Sequence, residues 1–167
     1  MRPFLAPVLI AALGLGVPAA LAQGTEVPFG SIRHDSSLPV EVTANRLEVD
    51  QEDGSAVFTG DVIVGQGEMR LSADEVRILY SDNDAQTREI DRMLATGNVV
   101  LVNGPEAAES DAAVYTLASG NIVMTGNVLL TQGANALSGD RFTVDLDTGN
   151  GVMEGRVRTL LQPSGPE

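Results

Sequence analysis

A four-residue motif recurs along the chain at a nearly fixed spacing. Three near-copies are Thr59-Gly60-Asp61-Val62, Thr96-Gly97-Asn98-Val99 and Thr125-Gly126-Asn127-Val128, and a divergent fourth is Glu154-Gly155-Arg156-Val157. The glycines of successive copies are 37, 29 and 29 residues apart. Self-similarity at a fixed period indicates one supersecondary unit packed against copies of itself. The chain is therefore expected to fold by stacking equivalent units.

A second series of residues interleaves with the glycines. It consists of Asn45, Asp74, Asp111 and Asp140, which are 29, 37 and 29 residues apart. The basic unit is therefore 29 residues, and one unit is longer by about eight. The additional residues fall in the polar stretch 81–92 (Ser81 to Arg92), which is typical of an enlarged surface loop.

Further glycines recur between the two series, where turns are expected. Seven residues after a motif glycine stand Gly67, Gly104 and Gly133. Nine residues after a member of the second series stand Gly54, Gly120 and Gly149, with Asn83 at this place in the longer unit. Gly and Asn tolerate the positive φ of tight hairpins, so these positions predict turns.

The segments between the turns alternate apolar and polar residues, which is the period of a β-strand. Each carries a Gly or an Asx residue near its centre, typical of a bulge or a bend. We predict eight bent strands, centred on residues 45, 60, 74, 97, 111, 126, 140 and 155. Joined by hairpins, they form an all-β, antiparallel, bent-strand β jelly roll. This taco-like fold has about 16 half-strands built from 29-residue repeats.

The two faces of the predicted strands differ in composition. Positions two and four after each bend form an apolar stripe, whereas the position between them is mixed, so the stripe is assigned to the interior. Apolar residues three positions before a bend are taken to extend it, and the facing of Phe58, Ile122 and Met124 is left open. The predicted inward residues are Val42, Leu47, Val49, Val57, Val62, Val64, Leu71, Val76, Ile78, Leu94, Val99, Leu101, Tyr115, Val128, Leu130, Phe142 and Val144.

Two interpretations of this interior remain open on the pattern alone. Packed cores are the norm in β-sandwiches, and alternation by itself favours such a core. The other interpretation is a groove for acyl chains, because only 4% of residues are aromatic and the stripe consists of medium-sized aliphatic residues.

The ends of the chain divide it into expected segments. Residues 1–22 have the features of a secretory signal peptide, with an apolar run and an Ala20-Leu21-Ala22 cleavage signal. A retained anchor is the alternative, but the run is short and lacks a basic flank. We expect cleavage after Ala22, a flexible segment at 23–37, one domain at 38–162 and a disordered tail at 163–167.

Composition and single residues exclude several function classes. The chain has no cysteine and a net charge of −13, so disulfides are absent and nucleic-acid binding is disfavoured. His34 is the only histidine and has no second ligand or triad partner at useful spacing. The aspartates of the second series recur as bend residues rather than as calcium ligands or carboxylate pairs. Asp82-Asn83-Asp84 lacks the glycine and glutamate of an EF-hand. We predict no catalytic site, metal or cofactor.

The motifs in this register resemble those of the LptA/OstA-like lipopolysaccharide transport family. The resemblance extends over about residues 38–162. It rests on the stretch from Val42 to Asp50, on Phe58-Thr59-Gly60-Asp61-Val62, on Gln66-Gly67 and on the stretch from Leu71 to Val76. It implies a curved jelly roll, open along one side, whose interior holds lipid A acyl chains in the periplasm. It also implies head-to-tail stacking that links LptC at the inner membrane to LptD at the outer membrane.

The predicted sheet ends in unpaired strands near residues 38–50 and 151–162. Such edges pair with other strands, so we predict partner contacts at Val40, Val42, Val152 and Val157. Anionic head groups have candidate contacts in Arg46, Arg70, Arg77 and Arg141, although each is also explained as a solvated surface residue. A self-assembling β-solenoid scaffold of the cell envelope without lipid cargo is the alternative function. An envelope enzyme is disfavoured because the stripe offers no paired acids.

Overall fold

The computed structural model describes residues 24–29, 34–52, 54–81 and 89–162. The predicted signal peptide, the predicted tail, the Asn83 turn and most of the insertion lie outside the described residues. A 3-10 turn, Leu117–Ser119, accompanies the strands. The strands are β1 (Thr25–Pro28), β2 (Glu41–Thr43), β3 (Arg46–Val49), β4 (Ala56–Gln66), β5 (Met69–Tyr80), β6 (Ile90–Asn103), β7 (Glu106–Thr116), β8 (Asn121–Gln132), β9 (Asn135–Asp145), β10 (Asn150–Glu154) and β11 (Arg158–Leu160). In the part of the chain that these ranges cover, no helix has the length and apolarity needed to span a membrane.

The strands form one antiparallel sheet in the order β1-β10-β9-β8-β7-β6-β5-β4-β2. Strand β3 lies beside β4, and β11 lies beside β9. The strand predicted at residue 45 is β2 followed by β3, and the strand predicted at 155 is β10 followed by β11. The other six predicted strands are β4 to β9, so all eight are confirmed.

Gly60, Gly97 and Gly126 each lie at a β-bulge that bends the strand, and Gly155 lies in the break between β10 and β11. At Gly60 the backbone φ is +80° and at Asp61 it is +48°, and in the other three copies φ is also positive at both positions. The pairing register between β4 and β5 shifts between Thr59 and Val62, and equivalent shifts occur in β6 and β8. Left-handed backbone is costly for residues other than Gly, Asn and Asp. This requirement explains why the motif is Gly followed by Asx in three of its four copies.

The bends fold the sheet into two halves. Half-sheet 1 contains β1, β3 and β10, together with the segments of β4 to β9 that lie between β3 and β10 in the pairing order. Half-sheet 2 contains β2, β11 and the remaining parts. The hydroxyl of Tyr115 in half-sheet 1 lies 2.7 Å from Oε1 of Gln66 in half-sheet 2. The halves therefore face each other at the ends remote from the bends, and the predicted jelly roll is confirmed.

The predicted turns are also present. Six glycines at the hairpin positions have φ between +56° and +71°: Gly54, Gly67, Gly104, Gly120, Gly133 and Gly149.

The N-terminal segment differs from the expectation of a flexible 23–37 stretch. Thr25–Pro28 form β1, which pairs with β10 in register with Thr25 opposite Met153. The ring of Phe29 is fully buried and meets the ring of Phe142 edge to face, with centroids 5.6 Å apart. Four residues are too few to show a strand period in the sequence. The pairing partner also lies more than 120 residues away, so no local pattern indicates the pairing.

Candidate functional site

The interior between the half-sheets is lined by rows of apolar side chains that cross the strands. In half-sheet 1 the register aligns one row: Val49, Ala56, Ile78, Met93, Tyr115, Ile122, Val144. In half-sheet 2 it aligns another: Val42, Val64, Leu71, Leu101, Ala108, Leu130, Leu137. Most of these side chains belong to one buried hydrophobic cluster. The interior is therefore a continuous aliphatic surface that runs across the sheet from one edge toward the other.

Most of the residues predicted to face inward lie in this interior. Twelve are buried: Val62, Val64, Leu71, Val76, Ile78, Val99, Leu101, Tyr115, Val128, Leu130, Phe142 and Val144. Val42 is partly buried and packs against the cluster. Of the three residues whose facing was left open, Ile122 and Met124 are buried, and Phe58 packs against the cluster.

Leu47 and Val49 belong to the inward rows but are exposed. Leu47 pairs with Phe58 and Val49 with Ala56, so both continue rows that are buried farther along the sheet. Their exposed fractions are 53% and 58%. Strand β3 is an edge strand among the described residues, so no neighbouring strand covers these side chains. The aliphatic interior is thus open to solvent at the β3 edge.

The inward assignment of Val57 and Leu94 was wrong. In β6 the buried residues are Met93 and Ala95, which flank Leu94. Val57 and Leu94 both pair with Arg77 and lie with it on the outer face. The bulge changes the phase of the buried positions in the strands that carry a motif glycine. The residue three positions before the bend therefore faces inward only in the strands that lack a motif glycine, as Leu71 and Leu137 do.

The predicted edge contacts are also partly corrected. Val152 is not at an edge, because β10 pairs with β9 on one side and β1 on the other, where Glu26 lies opposite Val152. Val42 lies in β2, at the edge of half-sheet 2, and Val40 precedes it. Val157 lies between β10 and β11. At this end of the sheet the edge strands are therefore β1 and β11.

A row of amide side chains lies at the hairpin ends of half-sheet 2, remote from the bends. Gln66, Asn103 and Gln132 each precede the turn glycine of a hairpin in half-sheet 2, and we call these three the amide rim. Each continues the inward face of its strand, as Leu101 does two residues before Asn103. In the sequence, an amide residue stands six positions after three of the motif glycines. A search that follows only apolar residues does not detect this recurrence.

The outer two amides of the rim hold the N-terminal segment. The Gln66 side-chain nitrogen donates to the carbonyl oxygens of Ser36 and Leu38, at 2.8 and 2.9 Å. Its Oε1 accepts from Nε2 of buried His34 at 3.0 Å, which places the imidazole proton on Nε2. The Gln132 nitrogen donates to the carbonyl oxygen of Pro28 and to Oε1 of Glu106. Residues before β2 are therefore fastened to both ends of the rim.

The Tyr115 hydroxyl is a neutral donor within this network. Burial raises its pKa to about 12, with a further contribution from the charge of Asp147. The phenol therefore stays protonated at neutral pH and donates to Gln66.

The bends are joined on their outer side by paired polar residues. The amide nitrogen of Asn98 donates to Asp74, and that of Asn127 donates to Asp111, both at 2.8 Å. The first pair is reversed, with Asn45 donating to Asp61 at 3.1 Å. In the last pair Arg156 bonds Asp140 at 2.7 Å, and this bond lowers the pKa of the Asp140 carboxyl. The aspartates are therefore bend residues, as predicted.

The four candidate arginines lie outside the interior. Each immediately precedes an inward residue: Arg46 precedes Leu47, Arg70 precedes Leu71, Arg77 precedes Ile78, Arg141 precedes Phe142. Arg46 pairs with Glu48, and Arg70 donates to the carbonyl oxygens of Gly67 and Met69. Among the described residues, no group of three or more His, Asp or Glu side chains is arranged to hold a metal ion.

Comparison with known proteins places this architecture among lipopolysaccharide transport proteins. Residues 41–150 match the family model described as LptA/(LptD N-terminal domain) LPS transport protein. The chain is 36% identical over 101 residues to LPS-assembly protein LptD of Escherichia coli O157:H7, and 35% identical over the same length to LptD of strain K12. It is 29% identical over 122 residues to an uncharacterized protein of Rhizobium meliloti (strain 1021).

The matches cover different shares of each protein. The LptD matches cover 55% of this chain but 12% of LptD, and the Rhizobium match covers 68% of this chain and 66% of that protein. Among solved structures, the fold is similar to LptH of Pseudomonas aeruginosa, described as the LptA homologous periplasmic component of the conserved lipopolysaccharide transport device. The TM-score is 0.67 at 20% identity, and the alignment covers 78% of this chain and 99% of LptH.

Proposed function

The chain belongs to the LptA/(LptD N-terminal domain) LPS transport protein family, and from this we propose that it carries lipopolysaccharide across the periplasm with the lipid A acyl chains held between the two half-sheets. The observation that carries the proposal is the course of the inward aliphatic rows. They extend through the sheet and reach solvent at Leu47 and Val49 of the β3 edge. The proposed residues that contact lipid are the twelve buried ones named above, together with Val42, Leu47 and Val49.

The chemistry of the interior suits transport rather than tight storage. Exposing an acyl chain of about twelve carbons to water costs about 10 kcal/mol, so unassisted diffusion is negligible. Acyl chains that enter replace contacts among side chains with similar contacts to methylene groups. Movement from one position to the next along the rows therefore changes the free energy little, which lets the lipid advance. The proposal assigns the chain no catalytic step.

We place the partners of the chain at the two ends of the sheet. Leu47 and Val49 are exposed at the β3 edge, and Leu160 and Leu161 are 63% and 67% exposed at or just after β11. Unpaired strands with exposed apolar side chains are suited to strand addition. We propose that these edges join copies head to tail and connect the chain to LptC at the inner membrane and LptD at the outer membrane. Export by a signal peptide cleaved after Ala22 belongs to the same proposal.

Site-specific photo-crosslinking in Gram-negative cells tests this function. A photoreactive residue is placed at Met93, which is fully buried, or at Leu94, its apolar neighbour on the outer face. Ile78 and Arg77 form a second inward and outward pair on β5. Adducts with lipopolysaccharide are expected at Met93 and Ile78 only.

Comparing an inward with a neighbouring outward position distinguishes lipid held between the half-sheets from lipid that binds nonspecifically to the outer surface. Leu94 is as apolar as Met93, so equal labelling at both positions would mean that lipid binds the outer surface. Absence of adducts at both inward positions in a folded, exported protein would contradict transport and favour a scaffold without lipid cargo.

A further inference from the structure

Among the described residues, the middle amide of the rim has an unpaired side-chain nitrogen. Asn103 is 2% exposed, and its side-chain nitrogen makes no hydrogen bond among the described residues. Buried polar groups are nearly always hydrogen-bonded, and an unpaired donor destabilises the fold that contains it. An apolar residue at this position would avoid that cost. The position is therefore suited to an acceptor that the described residues do not supply.

The two neighbouring hairpins indicate what kind of acceptor fits. At the equivalent positions, Gln66 donates to the carbonyl oxygens of Ser36 and Leu38, and Gln132 donates to the carbonyl oxygen of Pro28. The rim thus binds backbone carbonyl oxygens at its two outer positions, and Gln132 also binds the Glu106 carboxylate. Asn103 lies between them with the same chemistry and a free N–H.

We propose that Asn103 is a polar anchor for an acyl carbonyl oxygen of the bound amphiphile, a subsite that rests on the proposed function. Leu101, two residues earlier on the same face, is fully buried, and the turn begins at Gly104 directly after Asn103. Asn103 therefore lies where the aliphatic interior ends. In an acylated amphiphile the ester and amide carbonyls occupy this junction between hydrocarbon and head group.

A phosphate group suits the position less well. The Asn103 amide is a neutral donor and offers no compensating positive charge. The carboxylate of Glu106 is held in the same rim by Gln132, with 3.1 Å between Oε1 and Nε2. A negative group placed beside it would be repelled, whereas a neutral carbonyl would not.

The test compares a lipid that carries the carbonyl with one that lacks it. Binding of monolaurin, an ester, and of 1-O-dodecylglycerol, the matching ether, is measured by calorimetry on wild type and on Asn103→Leu. Wild type is expected to bind the ester about tenfold more tightly, the factor for one net hydrogen bond. Asn103→Leu is expected to lose this preference while its melting temperature stays unchanged or rises.

The melting temperature distinguishes a ligand anchor from a structural residue. Gln132→Leu is the matched control, because this amide has partners within the fold; it should lower the melting temperature and keep the preference for the ester. An Asn103→Leu protein that loses stability, or that keeps the ester preference, would overturn the proposal.

Two further outcomes separate this proposal from the function on which it rests. Wild type that binds ester and ether equally would overturn the carbonyl anchor alone. Wild type that binds neither compound nor lipopolysaccharide would overturn the transport function as well. A third probe, dodecyl phosphate, tests the chemistry of the acceptor. If Asn103→Leu loses more affinity for dodecyl phosphate than for monolaurin, the site belongs to phosphate and the carbonyl anchor is overturned.

Discussion

At the scale of single residues, the motif glycines meet two separate requirements. Gly126 has a φ of +80°, and a Cβ atom there would lie 2.4 Å from the Asp111 carboxylate. Gly60, Gly97 and Gly155 are crowded in the same way by Asn45, Asp74 and Asp140. Each motif glycine therefore permits both the left-handed backbone and the close approach of the neighbouring strand's Asx side chain.

Alanine at Gly126 separates these two requirements when it is compared with alanine at Gly133. At Gly133 φ is +59° and no atom lies within 4 Å of the position that an added methyl group would take, so only backbone strain is expected there. Chemical denaturation should give a loss of about 1–2 kcal/mol for Gly133→Ala and about 3 kcal/mol or more for Gly126→Ala. Equal losses would mean that the Asp111 side chain moves away without cost.

Tyr115 should make stability depend on alkaline pH. Its pKa is raised from 10.0 to about 12 in the folded protein, so the unfolded chain loses this proton first. The associated stability is complete below pH 10 and is lost as pH rises toward 12. The free energy of unfolding, measured by denaturation across this window, should fall more steeply in wild type than in Tyr115→Phe. Parallel curves for the two proteins would contradict this assignment.

At the scale of elements, the bends are joined by pairs in which one member is a carboxylate and the other is an amide or guanidinium. The pair Asn45–Asp61 has the opposite order to Asp74–Asn98, yet both serve the same kind of bulge. The chain therefore contains both orders of one contact, and a swap is structurally permitted.

A charge swap at the second bend tests this complementarity. Asn98→Asp places two carboxylates together and should lower the free energy of unfolding by about 1 kcal/mol at low salt. Adding Asp74→Asn recreates the order of the first bend and should restore most of the loss. Thermal denaturation measures both variants, and an unrestored double variant would mean that Asp74 has a further role.

Strand β1 is an integral element of the fold despite its short length. Phe29 is fully buried against Phe142, so Phe29→Ala should lower the free energy of unfolding by about 3 kcal/mol. Thr25→Ala, an exposed change on the same strand, should alter it by less than about 0.5 kcal/mol. Similar small effects in chemical denaturation of both variants would place β1 outside the cooperative unit.

At the scale of the whole molecule, the charge of −13 opposes the stacking that its edges permit. Copies that meet head to tail bring like charges together, and salt screens this repulsion over about 10 Å at 0.1 M. Sedimentation velocity should therefore show stronger self-association at about 150 mM than at about 10 mM NaCl. Leu160→Glu, at the exposed β11 edge, should weaken association at both salt concentrations. An association that weakens with salt would instead indicate attraction between charged groups.

The sequence by itself determined the eight bent strands, their bends, the six described turns and the inward positions after each bend. These features depend on local requirements, namely positive φ at Gly and Asx and a period of two along each strand. Such requirements are visible in one copy of the unit and are reinforced by every repetition of it. The resemblance to the transport family rests on the same register.

Only the tertiary structure decided the features that depend on pairing between distant residues. The bulge reversed the facing of Val57 and Leu94, and β1 covered the edge predicted at Val152. The exposure of Leu47 and Val49 follows from the position of β3 at the end of the sheet, and the Asn103 side-chain nitrogen has no partner among the described residues that surround it. Neither a neighbour across the sheet nor a missing hydrogen-bond partner is encoded in local periodicity, because both depend on which segments come together in space.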